Sequence, residues 1–230
     1  MTNNTPSGAT GPPTGPSTGP APSNRIRGPI NAAGLRALDG VFDRTLGAQK
    51  RRLFADLPDD VVELGSGPGT NMRYLRPGTR LTAVEPNPAM HTALTSAAAA
   101  RGIDLTLLAL GAEGIPLDDA STDAVVCTLV LCTVDDPHQV LAEVRRILRP
   151  GGRFVFLEHV AADPASHRML AAQQRLLRRP WRWMFEGCEL HRDTGALLAA
   201  AGFADLDIRG ATARPAVLPV APMVWGTATR

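Results

Sequence analysis

Residues 61–70, VVELGSGPGT, decide the fold. The stretch begins as an apolar run, typical of a buried strand, and reaches the carboxylate of Glu63. Glycines then occupy alternate positions at Gly65, Gly67 and Gly69. Glycine permits a positive φ and lets a ligand approach bare backbone. The stretch therefore predicts a turn, between a strand and a helix, that binds a small molecule.

Strand and helix patterns alternate after this turn. Apolar runs predict five strands, over residues 60–64, 80–84, 104–109, 123–130 and 153–160. Helices are predicted between them, over residues 68–75, 88–101 and 138–148. The second of these helices is well delimited, since Asn87 is a candidate N-cap, Pro88 suits the first helical position and Gly102 ends it.

The end of the chain has a different pattern. Residues 203–212 and 221–229 are predicted strands with no helix between them, which indicates an antiparallel pair. The sequence thus predicts an α/β fold: a doubly wound, Rossmann-like, mostly parallel seven-stranded sheet with a C-terminal antiparallel strand pair.

The chain divides into a tail and one domain. Residues 1–28 are rich in Pro, Thr and Gly and contain too little apolar surface to offset the chain entropy, so a disordered tail is predicted. Residues 29–230 are predicted to form a single domain. Apolar residues at helical spacing from about Ile30 predict one or two helices that precede the first strand.

Charge and cysteine usage exclude several function classes. A net charge of +2 gives no broad electrostatic basis for binding nucleic acid. Cys127, Cys132 and Cys188 show neither CxxC nor paired zinc-ligand spacing, so neither a disulfide framework nor a metal site is expected. No apolar run is long enough for a membrane span and no targeting peptide is evident, which favours a cytoplasmic location.

A second carboxylate indicates the class of ligand. Glu85 follows the predicted second strand, about twenty residues after the glycine turn, where a carboxylate can accept hydrogen bonds from both ribose hydroxyls. The third glycine comes one residue earlier than in the dinucleotide pattern GxGxxG. Glu63, just before the turn, suits a cationic amino or sulfonium group better than a diphosphate.

Four motifs carry a family resemblance. In chain order they are ELGSGPGTN, AVEPNP, AEGIPLDDASTDAVV and VLAEVRRILRPGGRFVFLEHV. They resemble the successive motifs of class I S-adenosylmethionine-dependent methyltransferases over residues 60–229. The stretches VVCTLVLCTVDDP, LEHVAA and WRWMFEGCEL are most similar to the thiol S-methyltransferase group, which has a methyltransferase type 11 domain.

The resemblance implies S-adenosyl-L-methionine as the cofactor and assigns site residues. The implied cofactor-binding residues are Glu63, Gly65, Ser66, Gly67, Glu85, Pro86, Ala112, Glu113 and Cys127. The implied acceptor pocket contains Thr128, Leu129, Trp183 and Phe185. His159 ends the fifth strand at the same edge and is the candidate general base, since imidazole titrates near neutral pH. For Cys127 and Cys132, buried and unreactive packing is the preferred interpretation.

An insertion separates the fifth strand from the last helix. Residues 164–190 contain a cluster of aromatic side chains beside several arginines. Three interpretations stay open: a lid over an apolar substrate, simple packing on the sheet, or peripheral contact with an anionic membrane.

These observations predict an enzyme that methylates a small, fairly apolar acceptor, namely a thiol. An O- or C-methyltransferase acting on a quinone or polyketide-like compound is the nearest alternative. A nicotinamide-dependent oxidoreductase and a non-catalytic nucleoside-binding protein are alternatives from other classes. The implied partner is the small-molecule acceptor, and the sequence does not indicate an oligomeric state.

Overall fold

A seven-stranded sheet organises the protein in the computed structural model, which describes residues 27–213 and 218–230. The helices are α1 (Arg27–Phe54), α2 (Pro88–Arg101), α3 (Pro137–Ile147), α4 (Arg168–Met184) and α5 (Thr194–Ala200), with a 3-10 helix at Thr70–Tyr74. The strands are β1 (Asp60–Leu64), β2 (Arg80–Val84), β3 (Asp104–Leu108), β4 (Thr122–Thr128), β5 (Leu148–His159), β6 (Asp205–Thr212) and β7 (Pro222–Thr229). The predicted tail lies outside the described residues except for residues 27 and 28, which begin α1.

The strand order is β3-β2-β1-β4-β5-β7-β6. The first five strands run parallel, and β7 lies antiparallel to both β5 and β6. This confirms the predicted fold class, including the terminal pair. The chain passes outward from β1 to β3 and then returns to β4, so the strand order reverses between β1 and β4. In open α/β sheets, ligands bind at the carboxyl ends of the strands beside such a reversal.

The central strands of the sheet are buried on both faces, because helices cover each face. Val125 belongs to one apolar cluster, which includes residues of α3 and α5. Val126, the next residue of the same strand, belongs to the other cluster, which includes residues of α1 and α2. Successive side chains of a strand point to opposite faces. A strand covered on both sides must therefore be apolar at nearly every position, which explains the continuous apolar run.

The predicted boundaries of α2 are confirmed. The Asn87 side chain accepts a hydrogen bond from the backbone N–H of Ala89 at 3.0 Å, and Pro88 is the first helical residue. Gly102 ends the helix in the left-handed conformation, with φ of 65°. The cap and the glycine could be recognised because each acts within a few residues of its own position.

Two other elements have boundaries that differ from the predictions, and the leading segment agrees with the prediction of one or two helices. The helix expected at 68–75 is shortened to the 3-10 helix, because Gly69 adopts a positive φ directly before it. The strand β5 begins at Leu148 rather than 153, because Leu148 pairs with Thr122 across a register shift in β4. The leading segment forms one helix of 28 residues.

Within residues 27–213 and 218–230, no helix combines the length and the hydropathy that are needed to cross a bilayer.

Candidate functional site

A cavity of about 470 Å³ opens at the carboxyl ends of the central strands. Its walls come from the turns after β1, β2, β4 and β5, from α1 and α4, and from residues 218–223. The volume is within the range of small-molecule sites. The cavity thus lies beside the reversal of strand order, where the sequence analysis expected a ligand.

The glycine turn forms one side of this cavity. Gly65 has φ of 57°, and a Cβ atom built on it would lie 2.4 Å from Cγ2 of Val130. Gly67 has φ of 56°, and a Cβ there would meet only the carbonyl oxygen of Gly65, at 4.0 Å. Gly65 is therefore required by close packing, whereas the bare backbone at Gly67 faces open space. Both residues line the cavity, as predicted.

Glu85 is held in position at the end of β2. Its Oε2 accepts a hydrogen bond from the backbone N–H of Gly67 at 2.8 Å, and its Oε1 accepts one from Asn87 N–H at 2.8 Å. Burial raises the pKa of Glu85, which is only 6% exposed. Each carboxylate oxygen retains a further acceptor position. Glu85 can therefore accept hydrogen bonds from two hydroxyl groups of a ligand while it holds the glycine turn in place.

Pro86, Ala112 and Glu113 extend the same wall of the cavity. Ala112 is buried and adds an apolar surface after β3. The carboxylate of Glu113 accepts a hydrogen bond from Asp135 N–H at 3.3 Å, and its carbonyl oxygen accepts one from the Gln139 side chain at 2.6 Å. These bonds fix the loop after β3 against the start of α3.

Glu63 lies under the glycine turn, and it is absent from the cavity lining. Its Oε1 accepts a hydrogen bond from Nδ2 of Asn71 at 2.6 Å, and burial raises the pKa of Glu63. The same Asn71 nitrogen donates to Oγ1 of Thr128 at 2.8 Å, and Asn71 Oδ1 accepts from Nζ of Lys50 at 2.8 Å. Burial lowers the pKa of Lys50 to about 8. Asn71 therefore links a buried lysine, a buried glutamate and the end of β4.

Replacing Asn71 with leucine is expected to destabilise the protein by at least about 2 kcal/mol. The leucine would leave the buried polar groups of Lys50 and Glu63, and the half-buried hydroxyl of Thr128, without this partner, and each unsatisfied buried group costs about 1–3 kcal/mol. Urea unfolding measures the change. The control is Thr128→Val, which removes only one of these bonds and should cost less than half as much. Equal stability of Asn71→Leu and the wild type would contradict the role of Asn71.

Two other predicted cofactor residues, Ser66 and Cys127, are buried outside the cavity lining. The Cys127 thiol donates a hydrogen bond to Oε1 of Glu158 at 3.3 Å. Burial and the neighbouring Glu158 raise the pKa of Cys127 well above its usual range. This agrees with the interpretation of Cys127 as an unreactive packing residue.

Glu158 organises the loop after β4. Its Oε1 also accepts hydrogen bonds from the backbone N–H groups of Val130 at 2.9 Å and Leu131 at 3.1 Å. Burial raises the pKa of Glu158 to about 7. Leu129, which lines the cavity as predicted, has φ of 61°. A branched side chain rarely adopts this conformation, so the loop is held there by its surroundings.

His159 lines the cavity together with two cysteines. Its Nε2 lies 2.9 Å from Sγ of Cys188, and Cys188 Sγ lies 3.7 Å from Sγ of Cys132. Trp181 donates its indole N–H to Cys188 Sγ at 3.2 Å. Contact with Cys132 and with His159 lowers the pKa of the Cys188 thiol, and the contact with Cys188 raises the pKa of Cys132.

This cluster corrects one expectation from the sequence. The spacing of the cysteines had indicated no group of metal ligands, yet Cys132, His159 and Cys188 present ligand atoms within 4.8 Å of one another. The three residues come from the loop after β4, the end of β5 and the segment after α4. Such a meeting of distant segments leaves no short spacing motif in the sequence.

The segment 164–190 contains α4 and covers part of the cavity. Phe185 lines the cavity as predicted, and its ring lies 4.2 Å from that of Trp181 between centroids. Trp183, which the sequence placed in the acceptor pocket, is 58% exposed and does not line the cavity, whereas Trp181 does. Residues two apart on a helix point about 200° apart, so Trp181 and Trp183 cannot share a face.

The segment just after α4 is hydrogen-bonded to other parts of the cavity wall. The Glu186 carboxylate accepts hydrogen bonds from Asn31 of α1 at 2.6 Å and from Asn87 at 3.1 Å. The arrangement agrees with the interpretation of this segment as a cover over the cavity.

Helix α1 contributes to the cavity, although none of its residues is among the predicted site residues. An apolar wall of the cavity is formed by Leu35, Leu38, Val41, Phe42 and Leu46. Their helical spacing predicted the helix but gave no indication of the face that they would cover. Together with Trp181, Phe185, Val220 and Met223, they give the cavity a large apolar surface, which the lining combines with the polar groups of Glu85 and the glycine turn.

A methyltransferase domain model matches residues 62–156. The chain is 36% identical to thiol S-methyltransferase TMT1B of Rattus norvegicus over 194 residues, covering 80% of this chain and 79% of that protein. It is 33% identical to thiol S-methyltransferase TMT1A of Homo sapiens over 201 residues, covering 83% and 82% of the two chains.

Solved structures show the same fold at lower identity. A methyltransferase from Thermotoga maritima, described as S-adenosylmethionine-dependent and as a possible histamine N-methyltransferase, has a TM-score of 0.62 at 20% identity, covering 88% of this chain and 99% of that one. Geranyl diphosphate C-methyltransferase of Streptomyces coelicolor, in complex with S-adenosyl-L-homocysteine, has a TM-score of 0.60 at 20% identity, covering 80% and 76%.

Proposed function

This chain belongs to the S-adenosylmethionine-dependent methyltransferases, and we propose that it methylates the sulfur of a small, fairly apolar thiol. The observation that carries the proposal is the cavity lining, which combines the glycine turn and Glu85 with His159 and many aliphatic and aromatic side chains. We assign the polar end, at the glycine turn, to the cofactor and the apolar end, beside His159, to the acceptor. The similarity to proteins named thiol S-methyltransferases supports sulfur as the acceptor atom.

The polar end fits the cofactor. The open backbone at Gly67 leaves room for the ligand, and the Glu85 carboxylate has acceptor positions for both ribose hydroxyls. The apolar surface of Ala112 suits the adenine ring, with Pro86 and Glu113 beside it. When bound, the cofactor supplies an electrophilic methyl group on a sulfonium sulfur.

Residues under the turn act by holding it in shape. Glu63 is hydrogen-bonded to Asn71, and Cys127 is hydrogen-bonded to Glu158. Both residues therefore hold the backbone around the cavity in place and do not form part of the cavity surface. We therefore assign Glu63, Ser66 and Cys127 an indirect role in cofactor binding. Thr128 acts in the same way through its bond to Asn71.

The apolar end suits the acceptor. Aliphatic and aromatic side chains of α1, α4 and residues 218–223 line it, so a charged or heavily hydroxylated acceptor would lose hydrogen bonds to water without replacement. His159 is the proposed base and accepts the proton of the thiol. Enclosure favours the reaction, because a thiolate and a sulfonium neutralise each other as the methyl group moves, and alignment of the two reactants lowers the barrier.

A panel of matched acceptors tests the choice of sulfur. Each aromatic or alkyl thiol is paired with its alcohol or phenol analogue, hydroquinones and polyketide-like carbon acceptors are added, and transfer of label from S-adenosylmethionine is measured. The proposal expects transfer to thiols and little transfer to the oxygen analogues. Transfer to hydroxyl groups or ring carbons but never to thiols would overturn it.

Truncating Phe185 is expected to weaken acceptor binding. Phe185→Ala removes an aromatic wall, and burial of such a side chain against a ligand is worth about 1.5–3 kcal/mol, so the acceptor KM should rise at least about tenfold. The control is Trp183→Ala in the same segment, whose side chain lies outside the cavity lining and whose KM should change less than about twofold. Equal KM values for the two variants would show that the segment does not form the acceptor pocket.

A further inference from the structure

Two cysteines and one histidine converge at the acceptor end of the cavity. Cys132 follows β4, His159 ends β5 and Cys188 follows α4, and all three are buried and line the cavity. The backbone links two of these segments directly, because the N–H of Glu189 donates to the carbonyl oxygen of Cys132 at 2.8 Å. The ligand-bearing loops are thus fixed to each other before any ion binds.

The spacing of the three ligand atoms is close to that of a tetrahedral zinc site. Zn–S bonds of about 2.3 Å and Zn–N bonds of about 2.0 Å place two sulfurs about 3.8 Å apart and a sulfur and nitrogen about 3.5 Å apart. The two sulfurs of Cys132 and Cys188 lie 3.7 Å apart, and Nε2 of His159 lies 2.9 Å from Cys188 Sγ. The sulfur pair already fits, and the imidazole nitrogen must lie about 0.6 Å farther from Cys188 Sγ than it does now.

Hydrogen-bond donors surround the sulfurs. The indole N–H of Trp181 points to Cys188 Sγ, and the hydroxyl of Thr133 lies 3.5 Å from Cys132 Sγ. Donors of this kind stabilise thiolate ligands around a metal. The third cysteine, Cys127, is bonded to Glu158 and lies outside the cavity lining, so it is not part of the group.

We propose that Cys132, His159 and Cys188 bind a zinc ion whose fourth position is open to the acceptor end of the cavity. Three protein ligands with one open position are the arrangement of catalytic zinc sites, and thiolate ligands favour a thiophilic metal. The acceptor thiol occupies that fourth position as a thiolate. This inference rests on the proposed function, because it assigns the site a sulfur acceptor.

The reaction balances without a further reactant. The acceptor loses its S–H proton to solvent when its sulfur binds the ion, and His159 then serves as a ligand instead of a base. A lone pair of the thiolate forms the new S–CH₃ bond while the bond between the methyl carbon and the cofactor sulfur breaks, with its electron pair retained by the cofactor sulfur. The neutral thioether product is a weaker ligand than the thiolate and leaves.

Cobalt binding tests the site independently of activity. The full chain is freed of metal with a chelator under a phosphine reductant, which keeps the cysteines reduced, and is titrated with Co²⁺ and then with competing Zn²⁺. One tetrahedral cobalt per chain, with thiolate-to-metal charge-transfer absorption, is expected. Cys188→Ser and Cys132→Ser should each weaken binding about 100-fold, while the matched control Cys127→Ser retains it. Absence of cobalt binding, or unchanged binding in Cys188→Ser, overturns the proposal.

Adding acceptors to the cobalt protein separates this proposal from the proposed function. Thiophenol should shift the cobalt spectrum, and phenol should not, because only the thiolate enters the fourth position. Thiol methylation that persists at full rate in the metal-free protein overturns the zinc role and leaves the proposed function standing. A cobalt site that ignores thiols, in a protein that methylates only oxygen or carbon, overturns both the acceptor role and the thiol function.

Discussion

Replacing Gly65 with alanine is expected to weaken binding of S-adenosyl-L-homocysteine at least about 100-fold. The new Cβ would lie 2.4 Å from Cγ2 of Val130, a distance that the folded protein cannot accept. Val130 cannot retreat easily, because its N–H is bonded to the buried Glu158. The glycine turn must therefore shift away from the loop, and the backbone that borders the ligand moves with it. Such overpacking typically costs about 1–3 kcal/mol, in addition to the strain at positive φ.

A second glycine, Gly151, serves as a control that distinguishes backbone strain at positive φ from the steric clash of the added Cβ. Gly151 also has a positive φ, of 78°, but a Cβ there would meet nothing within 4 Å, and it lies in β5 away from the cavity lining. Gly151→Ala should lose about 1 kcal/mol of stability and bind the ligand as the wild type does. Calorimetry and urea unfolding on both variants give the comparison. Wild-type affinity in a folded Gly65→Ala protein would show that the turn does not border the cofactor.

Replacing Glu85 with glutamine is expected to have the second large effect, a loss of about 100-fold in cofactor affinity. Hydrogen bonds to a charged group contribute about 1.5–3 kcal/mol each, and the proposed site uses two from the ribose. The glutamine also turns one acceptor into a donor that faces the N–H of Gly67 or Asn87, which loosens the glycine turn. Asp118→Asn, at an exposed carboxylate, is the control for a change of charge alone.

A ligand analogue without the two ribose hydroxyls makes the Glu85 test specific. In the wild type, removal of the hydroxyls should weaken binding strongly. In Glu85→Gln the same removal should cost much less, because the acceptor is already gone, and the two changes should not be additive. Additive losses would show that Glu85 acts only by supporting the turn.

Much of the fold could be predicted because its signals are local. The glycine turn, the Asn87 cap and Gly102 each act within a few residues, and strands covered on both faces have continuous apolar sequences. The start of β5 could not be predicted, because it depends on pairing between Leu148 and Thr122 across a register shift. Such pairing is a property of two distant segments.

In the candidate site, too, local features could be predicted from the sequence and contacts between distant segments could not. Gly65, Glu85 and His159 could be brought together from the sequence, because parallel strands bring their carboxyl ends to one edge, and all three line the cavity. Lys50, the single lysine of the sequence, is not among the predicted site residues, yet it is buried and bonded to Asn71. Its role depends on the packing of α1, which no local motif indicates.

The contacts of the cysteines also could not be predicted from their spacing in the sequence. Their spacing in the sequence suggested isolated packing residues, and Cys127 agrees with that interpretation. Cys132 and Cys188 are 56 residues apart and meet only because α4 returns over the cavity. The cytoplasmic location and the disordered tail stay predictions from the sequence.

A crystal structure with S-adenosyl-L-homocysteine bound tests the central claim most directly. We expect both ribose hydroxyls to lie within about 2.7 Å of the Glu85 carboxylate. The amino-acid part of the ligand should lie along Gly65 and Gly67, and its sulfur should point to the end of the cavity at His159. A nucleoside bound elsewhere, or one in this cavity with its ribose turned away from Glu85, would contradict it.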